Sequence, residues 1–275
     1  MQVAAVQLTS TLDREANRHR VTDRVREAAG RGAQLVVLPE AAMCSFGAAG
    51  TDLTACAEPL DGPFVAALRE VARETGTTVV AGTFEPSEEP GRVHNTVVAV
   101  DASGLLGTYR KLHLYDALGW QESDRIVPGD PAAEPLVVAV GDLRFGVMNC
   151  YDLRFPESAR RLVDAGATAL VVVAHWLPGP GKADAWSVLL RARAIESTAY
   201  VVAAAKPAPA CTGHSAVVDP AGDVLASLGA DEAGLALADL RAERVAEVRA
   251  SMPVLDHRRF GVVPRPPRPA TPSGP

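Results

Sequence analysis

Apolar positions along this chain recur with two periods, and segments of the two kinds alternate. A short run at 3–8 reads as a strand, and 13–30 carries helical spacing with many charged positions. The continuous apolar run at 34–38 suits a strand covered on both faces, and Pro39 ends it with Glu40 just beyond. Behind the turn signal Asp61-Gly62-Pro63 a helix is expected over 64–74, then a strand at 77–81 and a loop at 85–92. Strands at 95–100 and 105–109, joined around Asp101, Ser103 and Gly104, form a hairpin whose turn is longer than two residues.

In the second half, strands begin at Leu136 and span 143–148, a helix runs from Pro156 to Asp164, and an apolar strand follows at 168–174. A helix at 184–198, a strand at 200–205, a hairpin of 214–218 with 223–227, a strand at 234–239 and a helix at 241–250 complete the pattern. Hairpins set within a βα series predict an α/β fold with mixed sheets rather than a purely parallel one. No composition break divides the chain before residue 260, so one domain is expected over 1–262, with a proline-rich tail at 263–275.

Composition narrows the classes. The chain is 48% hydrophobic and 22% charged, as folded globular proteins are, but only 5% aromatic, so Ala, Val and Leu must fill the interior. The net charge of -6 and the scattered basic residues give no footprint for nucleic acid, and the cluster Arg258, Arg259, Arg265 and Arg268 reads as a solvated terminus. No window approaches the roughly 18 apolar residues of a membrane span. Met1 leads straight into a strand without a basic leader, and the four cysteines have no CxxC spacing, so a cytoplasmic protein with reduced thiols is expected.

Three ionisable side chains share one context, each just past a strand: Glu40 after VVLPE, Lys111 after GTYRK and Cys150 after FGVMNC. Strand ends face the ligand crevice in α/β proteins, so neighbouring strands could gather all three. A cysteine is a competent nucleophile once it is a thiolate, which a nearby lysine stabilises. Glutamate can take the thiol proton and return it to a leaving nitrogen, although a free carboxylate near 4.3 is a weak base. A second carboxylate in a tight pocket would raise it, and Glu122 is the candidate.

These phrases resemble the nitrilase superfamily of carbon-nitrogen hydrolases. The resembling pieces are LVVLPE, YRKLHLYD, the stretch from Gly119 to Asp130, GVMNCYDLRFPESARRL, RARAIESTAYVVAAA and GHSAVVDPAGDVLA, covering about residues 2–262 in the right order. The resemblance implies a four-layer αββα sandwich with mixed sheets, a homodimer, and a catalytic Glu40, Lys111 and Cys150 supported by Glu122. With it comes acyl transfer to Cys150, the oxyanion being held by Lys111 and the backbone N–H of Tyr151. DLRFPE at 152–157 is similar to the branch that includes omega-amidases, deaminated-glutathione amidases and carbamoyl hydrolases, with true nitrilases a weaker match. The expected substrate is a small-molecule amide with water as second reactant, and no cofactor or metal. A short aliphatic or dicarboxylic monoamide ranks above an N-carbamoyl compound, with a nitrile third. Asn149 departs from the pattern, since related chains commonly carry an apolar residue there.

The histidines lack HExxH spacing and the chain lacks a GxSxG elbow, which disfavours metallohydrolase and serine-hydrolase chemistry. His113, two residues beyond Lys111, competes geometrically as partner of Cys150 if the strand continues. His175 is either a contact for a substrate carboxylate or an ordinary loop residue, and Trp176 either lines the pocket or closes the core. Cys44 either approaches the pocket or is a buried thiol. Arg154 with Glu157, and Arg193 with Glu196, read as ion pairs. A catalytically silent interaction protein on the same scaffold is the nonenzymatic alternative, against which the intact Glu40, Lys111 and Cys150 stand.

Overall fold

The computed structural model describes residues 1–265, so most of the expected tail lies outside the described residues. Two six-stranded mixed sheets account for nearly all of the strands. In chain order the first half supplies β1 (Gln2–Gln7), α1 (Arg14–Gly30), β2 (Ala33–Val37), α2 (Pro63–Thr75), β3 (Thr78–Pro86), β4 (Val93–Asp101) and β5 (Gly104–Arg110). A small hairpin, β6 (Asp116–Ala117) with β7 (Trp120–Gln121), leads to β8 (Val137–Val140), β9 (Leu143–Asn149), α3 (Pro156–Asp164), β10 (Ala169–Ala174) and α4 (Lys182–Ser197). The chain closes with β11 (Tyr200–Ala205), β12 (Ala216–Val218), β13 (Val224–Ser227), β14 (Gly234–Asp239) and α5 (Ala242–Ser251).

The sheets run β14-β1-β2-β3-β4-β5 and β13-β12-β11-β10-β9-β8. Their central strands are apolar on both faces because each sheet is covered twice. Alternate residues divide between two layers: Val3, Ala5, Leu35, Val37, Val80 and Val97 pack against Phe145, Val147, Val171, Val173 and Val202 between the sheets. Their neighbours Ala4, Val6, Val36, Val79 and Val98 face Val21, Val25, Phe64 and Leu68 of α1 and α2. On the far side, Leu170, Val172, Val201 and Ala203 meet Leu162 of α3 and Trp186, Leu190 and Ala194 of α4. The result is the expected αββα sandwich.

Two local expectations are corrected. The β4–β5 turn has only two residues between the paired Asp101 and Gly104, because the Asp101 carboxylate accepts from the Ser103 and Gly104 N–H groups and Gly104 adopts φ 133°. Cys44 and Cys56, expected as reduced thiols, are joined in a disulfide: the loop after Glu40 turns back on itself and brings two positions twelve apart in sequence to a Cα–Cα distance of 6.1 Å. Cys150 and Cys211 are free and buried. Among the described residues, no helix is long and apolar enough to cross a membrane.

Candidate active site

Sheet topology gathers the predicted residues. Glu40 follows β2, Lys111 follows β5, and Asn95 lies near the start of the antiparallel β4 between them, so all three stand at one end of the first sheet. The ladder continues past β5, with the Lys111 N–H donating to the Asn95 carbonyl at 2.9 Å. Glu40 presses on β3 at Gly82, where a Cβ would come within 2.6 Å of the Glu40 Cα; only glycine permits that approach. From the second sheet, β9 ends at Asn149 with Cys150 just beyond it, and β10 ends before His175 and Trp176. Cys150 opens a 3-10 turn over 150–154 with φ 51°, a strained conformation for a side chain with a Cβ.

That strain is held by Asp152, fully buried, whose carboxylate accepts from the Asn149 N–H at 2.9 Å, the Tyr109 hydroxyl at 2.6 Å and the His113 N–H at 3.2 Å. His113 Nδ1 is also 2.7 Å from Asp152, and its ring stacks on Phe155 with centroids 3.7 Å apart. Here the rival Cys/His pairing fails: the strand ends at Arg110, the chain turns, and His113 buttresses the turn instead of lining the cavity.

Lys111 Nζ lies 2.9 Å from Glu40 Oε1 and 2.9 Å from both carboxylate oxygens of Glu122. Asn95 Nδ2 donates to Glu40 at 2.7 Å and to Glu122 at 3.2 Å. Asn149, the departure noted in the sequence, donates to Asn95 Oδ1 at 2.9 Å and so locks that amide in place. Backbone N–H groups complete the cradle, His175 to Glu40 and Tyr115 to Glu122, each at 2.7 Å. Every one of these carboxylate and ammonium groups is at most 2% exposed.

Burial pushes the Glu40 carboxyl up, but Lys111, His175 and the hydrogen bonds override it and hold it at about 2. The expectation that Glu122 would raise Glu40 is thus corrected. Glu122 itself is raised, by burial first and by the Glu40 charge, against the pull of Lys111. Burial disfavours the Lys111 ammonium, yet the two carboxylates more than offset that and hold it charged. Burial and the Glu40 charge raise the Cys150 thiol well above its ordinary range, with Lys111 opposing. At rest the site therefore holds a thiol beside a carboxylate.

These groups open on a cavity whose lining includes Glu40, Lys111, Glu122, Cys150, Tyr151, His175 and Trp176, the whole predicted set. Trp176 fulfils both of its readings: it lines the cavity and packs on Trp186, with ring centroids 5.3 Å apart. Arg154 lies 4.9 Å over the Trp176 ring, not paired with Glu157, whereas Arg193 and Glu196 do pair, at 2.8 Å. Cys44 is not in the lining. Asn95, Tyr115, Asp152 and Lys182 join the site without having been singled out in the sequence. Of these, Asn95 was detectable as an amide set in the apolar run VHNTVVAV.

Burial, then the Lys206 charge, depresses the His175 imidazole to about 3, with Glu40 opposing. It is neutral at pH 7 and cannot serve as a cation for a substrate carboxylate. Between its ordinary 6.5 and about 3 the unfolded chain binds a proton here that the folded protein refuses, so stability falls as pH drops through that window. Glu40 adds to the loss only below 4.5. Calorimetry from pH 6.5 to 4.5 is expected to show a fall of up to about 1 kcal/mol per pH unit, and His175→Asn should flatten it.

The carbon-nitrogen hydrolase family model matches residues 2–250. The deaminated glutathione amidase of Escherichia coli O157:H7 is 39% identical over 260 residues, covering 94% of this chain and 98% of its own. Nit3 of Saccharomyces cerevisiae, a member of branch 10 of the nitrilase superfamily, superposes with a TM-score of 0.82 at 28% identity over 94% of this chain and 97% of its own. An amidase from Nesterenkonia sp. AN1, with acrylamide added to its active-site cysteine, superposes with a TM-score of 0.74 at 28% identity, over 92% and 98% of the two chains. With that match across nearly the whole sequence, on this sandwich and around this buried cluster, the chain belongs to the carbon-nitrogen hydrolase family and cleaves C–N bonds by way of a cysteine.

Proposed function

We propose that the protein is an amidase in which Cys150 is the nucleophile, Glu40 the general base and acid, and Lys111 with the Tyr151 N–H the oxyanion donors. One observation carries the reading: Lys111 is bonded to both Glu40 and Glu122 on the wall of the cavity that Cys150 also lines. The Cys150 proton passes to Glu40 as sulfur attacks the amide carbon. Because the resting thiol is raised and the carboxyl lowered, that transfer is uphill alone and accompanies C–S bond formation. If Glu122 is held as a fork by one Lys111 N–H and Glu40 by a second, the third is free for the oxyanion. Each such donor contributes roughly 3 kcal/mol.

Glu40 then protonates the nitrogen, the C–N bond breaks, and ammonia or an amine leaves a thioester on Cys150. Water gives a proton to Glu40 and attacks the thioester; sulfur departs, recovers the proton, and the carboxylic acid is released. Small amides stand ahead of N-carbamoyl compounds and nitriles as substrates, a reading that the likeness to amidases supports. Exposed Val188 and Ile195, one face of α4, support a homodimer joined through that helix.

Glu40→Gln tests the sequence of steps, because an amide there can neither accept the thiol proton nor activate water. On adding a small amide, intact-mass spectrometry is therefore expected to find Cys150 of the variant without the acyl mass, with ammonia release at the background rate, because the step that forms the thioester already needs Glu40. Steady turnover at the wild-type rate by Glu40→Gln would refute the assignment of the base.

A further inference from the structure

The geometry points to Lys182 as a specificity-determining residue that receives a negatively charged end of the substrate. This deepens the amidase reading and rests on it for the position of the scissile bond. Lys182 lines the same cavity and is 8% exposed, yet among the described residues it has no carboxylate partner. Its Nζ donates to the Tyr115 hydroxyl at 3.1 Å and sits over two aromatic faces, 4.7 Å from the Tyr115 ring centre and 5.0 Å from that of Trp176.

A structural role accounts poorly for this placement. Lys182 is the first residue of α4, where the helix dipole disfavours a cation, and a buried ammonium lacking a counter-ion is costly. Both penalties fall if an anion enters the cavity beside it. Aromatic faces and one hydroxyl hold the ammonium without neutralising it, leaving N–H bonds for the ligand. By contrast, Lys111 in the same cavity is engaged by two carboxylates, and His175 is neutral.

Tyr115 also sets the distance. Its hydroxyl meets Lys182 while its backbone N–H meets Glu122, so the charged end and the scissile amide are separated by about the reach of one tyrosine. A monoamide of a dicarboxylic acid with a few carbons between its two ends fits that span.

The test compares glutaramate with pentanamide, equal in length and differing in charge, in the wild type and in Lys182→Met. The Trp176 indole donates to the Lys182 carbonyl, a bond the substitution leaves intact; Lys182→Gln is a second variant should the first fail to fold. We expect the glutaramate-over-pentanamide preference in kcat/KM to fall about 10- to 100-fold, carried by KM, with Lys182→Arg restoring part of it. Calorimetric titration with glutarate, which needs no turnover, should weaken by a similar factor. Equal losses on both amides, or a wild type that neither prefers glutaramate nor binds glutarate, would overturn the assignment. A wild type that binds glutarate through Lys182 but releases ammonia from neither amide would instead strike the amidase reading and leave Lys182 standing.

Discussion

Cys150→Ala is expected to lower turnover of any small amide by roughly ten-thousand-fold or more, the scale on which covalent catalysis fails when its nucleophile is removed, while leaving the fold intact. Alanine remains compatible with the apolar cluster to which Cys150 belongs together with Met148, Leu153 and Trp176, and the turn that carries it is set by Asp152 rather than by sulfur. Ammonia release from succinamate and butanamide, together with the thermal midpoint, separates the two effects. A variant that hydrolyses either amide as fast as the parent would end the nucleophile assignment.

Lys111→Met should damage activity and stability together. It removes the ammonium from between Glu40 and Glu122, which then confront each other across the Asn95 amide that both share. Breaking a buried ion pair from one side costs about 3 to 5 kcal/mol, which for a chain of this size lowers the thermal midpoint by roughly 10 °C. The loss has a pH signature. Without Lys111 one of the carboxyls must hold its proton well above the ordinary range, so the variant loses stability as pH rises through that value, and its deficit against the wild type should shrink from pH 7 to pH 5. Adding Glu122→Gln should recover much of the midpoint and none of the activity. A Lys111→Met protein that melts with the wild type would show that the three groups are not coupled as described.

The alternation of strands and helices and the mixed sheets were legible in the hydrophobic pattern, whereas the four-layer stacking was implied only by the family resemblance. The hairpin of β4 and β5 was found, but its length was misjudged, since the Asp101 carboxylate that tightens it acts through space that a periodicity does not describe. That Glu40, Lys111, Cys150 and Glu122 meet in one cavity was legible from the phrases around them. Asn95 and Asp152 were not, because an amide in a strand and a carboxylate in a turn have many bland uses until their neighbours are known. Lys182 was passed over for a similar reason: nothing in GPGKADAW reveals that the helix begins at the cavity wall. The disulfide between Cys44 and Cys56 depends on how a loop folds back, which spacing alone leaves open.

The two sheets divide between them the groups proposed to react, with Glu40 and Lys111 just past strands of one and Cys150 just past a strand of the other. The spacing between them follows from the apolar seam to which both sheets contribute, Val97 from one and Phe145 and Val173 from the other, though none of these lines the cavity. That seam acts as a spacer plate: thinning it changes the alignment of donor and acceptor before it threatens the fold, and catalytic rate becomes a finer gauge of how well the layers are seated than any melting curve.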